Sequence, residues 1–299
     1  MPIPQTNDGS QQPPRIELFL NAGCLVDLPP HATAPSGELR SVYSKIKDSG
    51  FAGMQDGDFE LAKDVGLQIA AGARVNSPEE IEPLVEKHLS QGQIATTLHC
   101  GWGMESDAEV DAYATTVLDI ATRYRYPLFI ETHRATITQD NWRTVELVKR
   151  FPELRFNGDF SHWYAGLEMV NGHWDEKIDF IRPVLERVRF LHGRIADPGS
   201  IQAPLSLDPD AGYIQHFREI WNICFQGFLA AAKQGDFLVF APELLWPQIY
   251  YARMQRQPDG SVVESGDRWA DVLAIKQIAL QEFEKATARC RSVLATRFP

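Results

Sequence analysis

The segment Phe129-Ile130-Glu131-Thr132-His133 ends a short apolar run that begins at Pro127. Residues two apart on a β-strand point to the same face of the sheet, so Glu131 and His133 project together if the strand ends here. A carboxylate and an imidazole are both common ligands of divalent cations. The segment therefore predicts a buried strand with a polar site at its carboxyl end.

Three later segments repeat this pattern of a short apolar run that ends in a ligand-type residue. Asp159 follows the run that starts at Leu154, His192 ends the run that starts at Val188, and Glu243 follows the run that starts at Phe237. Together with the first segment they supply a mixed set of carboxylates and one imidazole: Glu131, Asp159, His192 and Glu243. Such a set suits a single Mn²⁺, Mg²⁺, Co²⁺ or Zn²⁺ ion.

Eight strand-like runs alternate with helical segments along the chain, with no long linker between them. The runs are Arg15–Leu20, Phe51–Gln55, Leu67–Ala73, Ile94–His99, Pro127–Glu131, Leu154–Asp159, Val188–His192 and Phe237–Ala241. This alternation predicts an α/β protein with a parallel sheet, and eight repeats favour a single (β/α)8 TIM barrel over residues 15–299. A doubly wound open sheet is the alternative, which the lack of a G-x-G-x-x-G after the first strand disfavours. The carboxyl ends of barrel strands meet at one mouth, where the four candidate ligands would converge.

Composition excludes several classes of function. The chain has 299 residues, of which 44% are hydrophobic, enough for one large core. A net charge of −11 disfavours a nucleic-acid partner. No apolar run reaches the roughly 18 residues of a membrane span. The four cysteines are far apart, which is typical of reduced thiols in a cytoplasmic protein. Residues 1–14, rich in Pro and Gln, are predicted to form a flexible N-terminal tail without the features of a signal peptide.

On these residues, the sequence resembles the xylose-isomerase-like TIM barrel superfamily, whose sugar isomerases and epimerases share a fold with zinc AP-endonucleases. The resemblance implies that Glu131, Asp159, His192 and Glu243 are the metal ligands at strands five to eight. It also implies that His162, in the family's D-x-x-H pattern, meets a substrate oxygen. Barrels of this kind often form pairs, so a homo-oligomer is possible.

The segment after strand seven distinguishes this chain from some members of the superfamily. Arg194 resembles the substrate-holding arginine that follows the strand-seven histidine. The AP-endonuclease D-x-H motif is absent there, which argues against DNA repair together with the negative net charge. True xylose isomerases carry a lysine at the position of His133, so a two-metal hydride shift is not expected.

Three further residues have both a functional and a structural interpretation. His133 is a second base, a residue that orients a ligand, or a structural histidine. His99 orients a ligand or binds substrate, or is a hydrogen-bonded barrel histidine. Trp102 stacks on a sugar ring or packs the barrel rim. The other histidines are interpreted as surface residues: His31, His88, His173 and His216.

The leading hypothesis is a metal-dependent isomerase or epimerase that acts on a small sugar or keto-sugar, with Mn²⁺ as the favoured cofactor. The cation would stabilise an enediolate as a Lewis acid. Glu131 and Glu243 would remove and return the proton on the substrate carbon, and His162 and Arg194 would hold its oxygens. One alternative is a lyase that cleaves a 3-keto-glycoside by β-elimination. The other is a sugar-binding barrel without catalytic activity.

Overall fold

Eight parallel strands form a closed barrel in the structure, a computed structural model that describes the backbone of residues 1–297 and the side chains of residues 1–291. The first strand pairs with the second and with the eighth, which in turn pairs with the seventh, so the sheet has no open edge. The predicted single (β/α)8 TIM barrel is therefore confirmed. The barrel strands are Arg15–Asn21, Gly53–Gln55, Gln68–Val75, Thr96–Cys100, Leu128–Glu131, Phe156–Gly158, Val188–Gly193 and Asp236–Pro242.

A helix follows each strand and covers the outside of the barrel. The covering helices are Leu39–Asp48, Phe59–Asp64, Ile81–Ser90, Asp107–Tyr124, Asn141–Arg150, Trp174–Leu185, Tyr213–Leu229 and Arg268–Arg297. Three short 3-10 helices span Ala22–Leu25, Pro78–Glu80 and Pro247–Ile249. The elements not predicted from the sequence include the short helix Ser161–Gly166 and the hairpin of Met254–Arg256 with Val262–Glu264.

Strand periodicity decides which side chains face the barrel interior. On the seventh strand, Phe190 and His192 share the inner face, and their ring centroids are 5.7 Å apart. On the second strand a Cβ at Gly53 would lie 2.5 Å from the ring of Phe19, so glycine makes room for the phenyl ring that fills the interior. Side chains fill the barrel interior beneath the carboxyl ends of the strands, so the polar residues at those ends lie at the mouth of the barrel.

The segment of residues 1–14, predicted to be a flexible tail, instead packs against the amino end of the barrel. Thr6 and Asn7 pair antiparallel with Phe237 and Asp236 at the start of the eighth strand. Ile3 is buried in the core, and its N–H donates to the carbonyl of Glu153 at 3.2 Å. The tail is ordered because it satisfies backbone groups that the eighth strand presents at this end.

One histidine that was interpreted as a surface residue is buried near the amino end of the fourth strand. His88, interpreted as a surface residue, is 6% exposed, and its Nδ1 lies 2.7 Å from the Thr96 hydroxyl. Helix Ile81–Ser90 points His88 toward the barrel because it lies on the same helix face as the buried Ile81 and Val85. All four cysteines are free thiols. Over the part of the chain described here, no helix is long and apolar enough to cross a membrane.

Candidate metal centre

The four residues predicted as metal ligands meet at the mouth of the barrel. One ligand atom from each of Glu131, Asp159, His192 and Glu243 lies within 4.8 Å of the other three. Glu131 is the last residue of the fifth strand, and Asp159 and Glu243 directly follow the sixth and eighth strands. The strand ends bring the four side chains together because every strand of the barrel runs in the same direction.

His192 lies at the centre of the carboxylates. Its Nδ1 is 3.5 Å from Glu131 Oε1, 3.2 Å from Glu243 Oε2 and 3.9 Å from Asp159 Oδ2. Its other ring nitrogen, Nε2, donates to Gln55 Oε1 at 2.8 Å. That hydrogen bond orients the ring and leaves Nδ1 toward the carboxylates, as in a metal-binding histidine whose second nitrogen is held by a partner.

The pKa of His192 follows from its neighbours. Burial opposes its protonation, but the charges of Glu243 and Glu131 raise the pKa well above its ordinary value. Burial also acts against the charge on Glu131, whose pKa is nevertheless held well below its ordinary value by His99 and His192. The cluster therefore keeps its carboxylates ionised inside the barrel.

Two carboxylate oxygens in this cluster are buried and accept no hydrogen bond within the described side chains. They are Glu131 Oε1 and Asp159 Oδ2. His99 Nε2 lies 2.9 Å from the first oxygen and Arg194 Nη1 lies 3.0 Å from the second, but neither contact has hydrogen-bond geometry. A buried anionic oxygen without a hydrogen bond is costly, and a cation supplies the missing partner. The donor set thus fits a divalent cation.

Arg194 supplies a fixed positive charge beside the cluster. Its guanidinium ion-pairs with Asp159 and with Glu243, and its Nε donates to the Glu243 carbonyl at 2.9 Å. Burial would raise the pKa of Asp159, but Arg194, followed by His162, holds it well below its ordinary value. A bound cation would replace the proton on His192, and with that ring neutral the three carboxylates and one guanidinium leave two negative charges, which one divalent cation balances.

A row of three imidazoles lines one side of Glu131. The ring centroid of His133 is 4.1 Å from that of His99 and 3.8 Å from that of His162. Burial, with the nearby His162 and His99, lowers the pKa of His133 to about 2, so this ring is neutral. His99, Glu131 and His133 also have ligand atoms within 4.8 Å of one another, so His133 and His99 both lie at the cluster.

The predicted substrate-binding residues differ in how accessible they are. His162 is buried, with Nε2 3.5 Å from Asp159 Oδ2 and 3.4 Å from Arg194 Nη1. Its Nδ1 has no hydrogen-bond partner among the side chains described. Trp102 is 51% exposed, and its ring stacks on the Arg74 guanidinium at 4.2 Å. Trp102 therefore lies at the rim, whereas His162 is buried beside Asp159 and Arg194.

Four polar residues contact the cluster without having been predicted from the sequence. Asn21 Nδ2 donates to Glu243 Oε1 at 3.2 Å and Asn157 Nδ2 donates to Glu131 Oε2 at 2.8 Å. Gln55 holds His192. Tyr251 lies over Arg194, 4.7 Å from the guanidinium carbon to the ring centroid, and its hydroxyl is 3.3 Å from His133 Nε2. Asn21 and Gln55 are the last residues of their strands, a signal that sequence reasoning could have used.

Two solved structures have a fold similar to that of this chain. A xylose isomerase-like TIM barrel protein from Mycobacterium smegmatis, solved in complex with magnesium, is similar with a TM-score of 0.54 and 15% identity over 91% of this chain and 97% of that chain. The probable 3-DHS dehydratase AsbF of Bacillus anthracis, involved in petrobactin synthesis, gives a TM-score of 0.50 and 14% identity over 78% of this chain and 94% of that chain. At these identities the likeness establishes the shared barrel fold. No protein-family profile and no curated protein sequence matches the chain.

Proposed function

We propose that this protein is a divalent-metal-dependent sugar isomerase or epimerase. The observation that carries the proposal is the pair of buried carboxylate oxygens, on Glu131 and Asp159, that lack a hydrogen bond within a mixed carboxylate and imidazole cluster. The cation would be held by Glu131, Asp159, His192 and Glu243, with Mn²⁺ as the favoured ion. When bound, it would act as a Lewis acid on adjacent carbonyl and hydroxyl oxygens of a keto-sugar.

The protein's own groups would move the proton. The side chain of Glu243 is 14% exposed and that of Glu131 is 2% exposed, so Glu243 is the carboxylate that substrate reaches more directly. One of the two would remove the proton on the carbon next to the carbonyl, and the other would return a proton. Asn21 and Asn157 hold these two carboxylates by hydrogen bonds and so fix their orientation.

Arg194 and the buried His162 would complete the substrate pocket. Arg194 ion-pairs with two of the candidate ligands, so its guanidinium is held in place before substrate arrives. Tyr251 covers the guanidinium and restricts access of water from that side. This arrangement favours a small, oxygen-rich substrate.

A second candidate is a lyase that cleaves a 3-keto-glycoside by β-elimination, which begins with the same proton removal. The imidazole of His99 beside Glu131 favours it, because a leaving oxygen needs a nearby proton donor and, against the effect of burial, the Glu131 carboxylate raises the pKa of His99. An isomerase conserves the mass of its substrate, whereas the lyase releases a fragment. Mass analysis of the products therefore separates the two.

The first experiment measures the metal content of the purified protein and of a Glu131→Gln, His192→Ala double variant. We expect one equivalent of Mn, Co, Zn or Mg in the wild type and a loss of that metal in the variant. A wild-type protein that binds none of these ions, even after incubation with them, would contradict the proposal. A protein that binds metal and sugar but never exchanges the substrate α-proton with D₂O would be a binding protein without catalysis.

A further inference from the structure

A second polar cleft lies at the opposite end of the barrel from the metal centre. It has a volume of about 630 Å³, within the range of small-molecule sites, and lies between the seventh strand and the end of helix Tyr213–Leu229. One wall is apolar, with Ile223, Leu229, Ala230 and Ala231. The other carries Arg155, Arg187 and Arg189, which precede or begin the sixth and seventh strands, and one carboxylate, that of Glu186.

These three arginines lack carboxylate partners in the part of the chain that the structure covers. Arg155 Nη1 and Arg187 Nε both donate to the carbonyl of Pro152, at 3.1 and 3.2 Å, so their guanidinium groups are neighbours. In a protein with 40 acidic residues and 29 Lys and Arg, three adjacent arginines bound only to backbone carbonyls are a local excess of positive charge. Such an excess attracts anions.

Arg189 is the most buried member of this group. It is 3% exposed, and its Nη1 and Nη2 donate to the carbonyls of Glu186, Val188 and Gly227. Its Nε is buried without a hydrogen-bond partner among the described residues. Burial, together with the charges of Arg155 and Arg187, lowers the pKa of Arg189 to about 9. A buried guanidinium among like charges is unfavourable until an anion balances it.

We propose that this cleft binds a small organic phosphate. The planar guanidinium groups of Arg155 and Arg187 suit the oxygens of a phosphate, and the charge of Arg189 lies behind them. The apolar wall formed by the end of helix Tyr213–Leu229 would receive the carbon part of the ligand. The site is separate from the metal centre, so the proposal does not depend on the proposed activity.

The test compares inorganic phosphate with phenyl phosphate as ligands of the whole protein. Binding is followed by thermal shift and by calorimetry at low ionic strength, with sodium chloride at equal ionic strength as the reference. We expect both phosphates to raise the melting temperature and phenyl phosphate to bind more tightly than inorganic phosphate, because its ring contacts the apolar wall. Neither ligand raising the melting temperature above the chloride reference would overturn the proposal.

Variants of the arginines test whether these residues bind the two phosphates. The Arg155→Gln, Arg187→Gln double variant should weaken both phosphates about tenfold or more, and each single variant less. Glutamine keeps an amide donor for the Pro152 carbonyl, so the fold should persist, and the single variants replace the double variant if it is unstable. Arg123→Gln, which removes an exposed arginine paired with Glu82, is the matched control and should bind as the wild type does. Wild-type affinity in the double variant, or an equal loss in the control, would overturn the proposal. The three arginines would then serve only as donors to backbone carbonyls.

Discussion

On the seventh strand, His192 faces three carboxylates at the mouth of the barrel, whereas Arg189, near the start of the same strand, donates to the backbone carbonyls of Glu186, Val188 and Gly227. Both side chains are almost fully buried. At the mouth, charged side chains of opposite sign face one another, and two carboxylate oxygens, Glu131 Oε1 and Asp159 Oδ2, accept no hydrogen bond from the described residues. At the other end, charge is balanced only by backbone dipoles. This difference is the basis for proposing a cation site at the mouth and an anion site at the opposite end.

The histidines at the two ends show the same contrast. The carboxylates at the mouth raise the pKa of His192 well above its ordinary value although burial opposes this. Burial lowers the pKa of His88, at the amino end of the fourth strand, to about 4, where its ring contacts the Thr96 hydroxyl. Burial, with the nearby Lys87, therefore keeps the His88 imidazole neutral, whereas at His192 the charges of Glu243 and Glu131 reverse the effect of burial.

The largest effect is expected for Glu243→Gln at the mouth. The amide keeps the size of the side chain but cannot accept the substrate proton, so turnover should fall by about 10²- to 10⁴-fold. The measurement is exchange of the substrate α-proton in D₂O by NMR, with keto-sugars as substrates. Glu17→Gln is the control, because Glu17 has a similar side-chain exposure, 20% against 14%, and pairs with Arg15 away from the mouth. Exchange at the wild-type rate in Glu243→Gln would remove Glu243 from the proton transfer.

The next effect is on stability and concerns Arg194→Met. Arg194 pairs with Asp159 and Glu243, and its loss leaves buried carboxylates without a counter-charge. We expect the free energy of unfolding in EDTA to fall by about 3–5 kcal/mol. Added Mn²⁺ should recover much of this loss, because a cation bound only by the folded state stabilises it. The measurement is urea unfolding with and without Mn²⁺.

Arg268→Met provides the matched comparison for that experiment. Arg268, the first residue of the last helix, is also buried and pairs with Glu264 at the end of the hairpin, and neither residue belongs to the ligand cluster. Its replacement should destabilise the protein by a similar amount, but Mn²⁺ should recover none of the additional loss. Equal recovery in both variants would mean that Mn²⁺ acts elsewhere on the protein, and the mouth would lose its assignment as the cation site.

The sequence predicted the barrel and the convergence of the four candidate ligands at its mouth, because both follow from one rule. Short apolar runs that alternate with helices fix the strand order, and in a barrel the residues at strand ends share one mouth. The same rule would have found Asn157, which lies two residues before Asp159 on the same face of the sixth strand. It was missed because a neutral amide is a poor metal ligand, although it holds Glu131.

The remaining contacts could not be predicted because they depend on loops and on the ends of the barrel. Tyr251 reaches Arg194 from an irregular loop that follows the 3-10 helix Pro247–Ile249, where no periodicity fixes its direction. The tail at Thr6 is ordered by a pairing with Phe237, which lies far away in sequence. His88 differs from these two cases, because helical periodicity with the buried Ile81 and Val85 could have predicted its burial.

The pH dependence of stability should reveal the neutral histidine at the amino end. The pKa of His88 is lower in the folded state than its ordinary value of 6.5, so the unfolded state binds more protons between pH 6.5 and about 4. Stability should therefore fall as the pH falls through this range, by about 2–3 kcal/mol. His88→Asn keeps a hydrogen-bonding group for Thr96 but does not titrate, so its stability should depend less on pH. His173→Asn, at an exposed histidine, should keep the wild-type slope, and an unchanged slope in His88→Asn would contradict the assignment.

The smallest effect tests the contact that holds Arg189 in place. A Cβ at Gly227 would lie 2.4 Å from Glu186 Cα and 2.6 Å from its carbonyl oxygen, so Gly227→Ala must push helix Tyr213–Leu229 away from the loop. Overpacking of this kind costs about 1–3 kcal/mol, partly offset by about 1 kcal/mol from the higher helix propensity of alanine. We expect a net loss of about 1–2 kcal/mol in urea unfolding. Gly166→Ala, where a Cβ meets nothing within 4 Å, should be neutral or stabilising. If the two variants are equally stable, moving the helix has no measurable cost in free energy. The hydrogen bond from Arg189 to the Gly227 carbonyl would then contribute nothing measurable to stability.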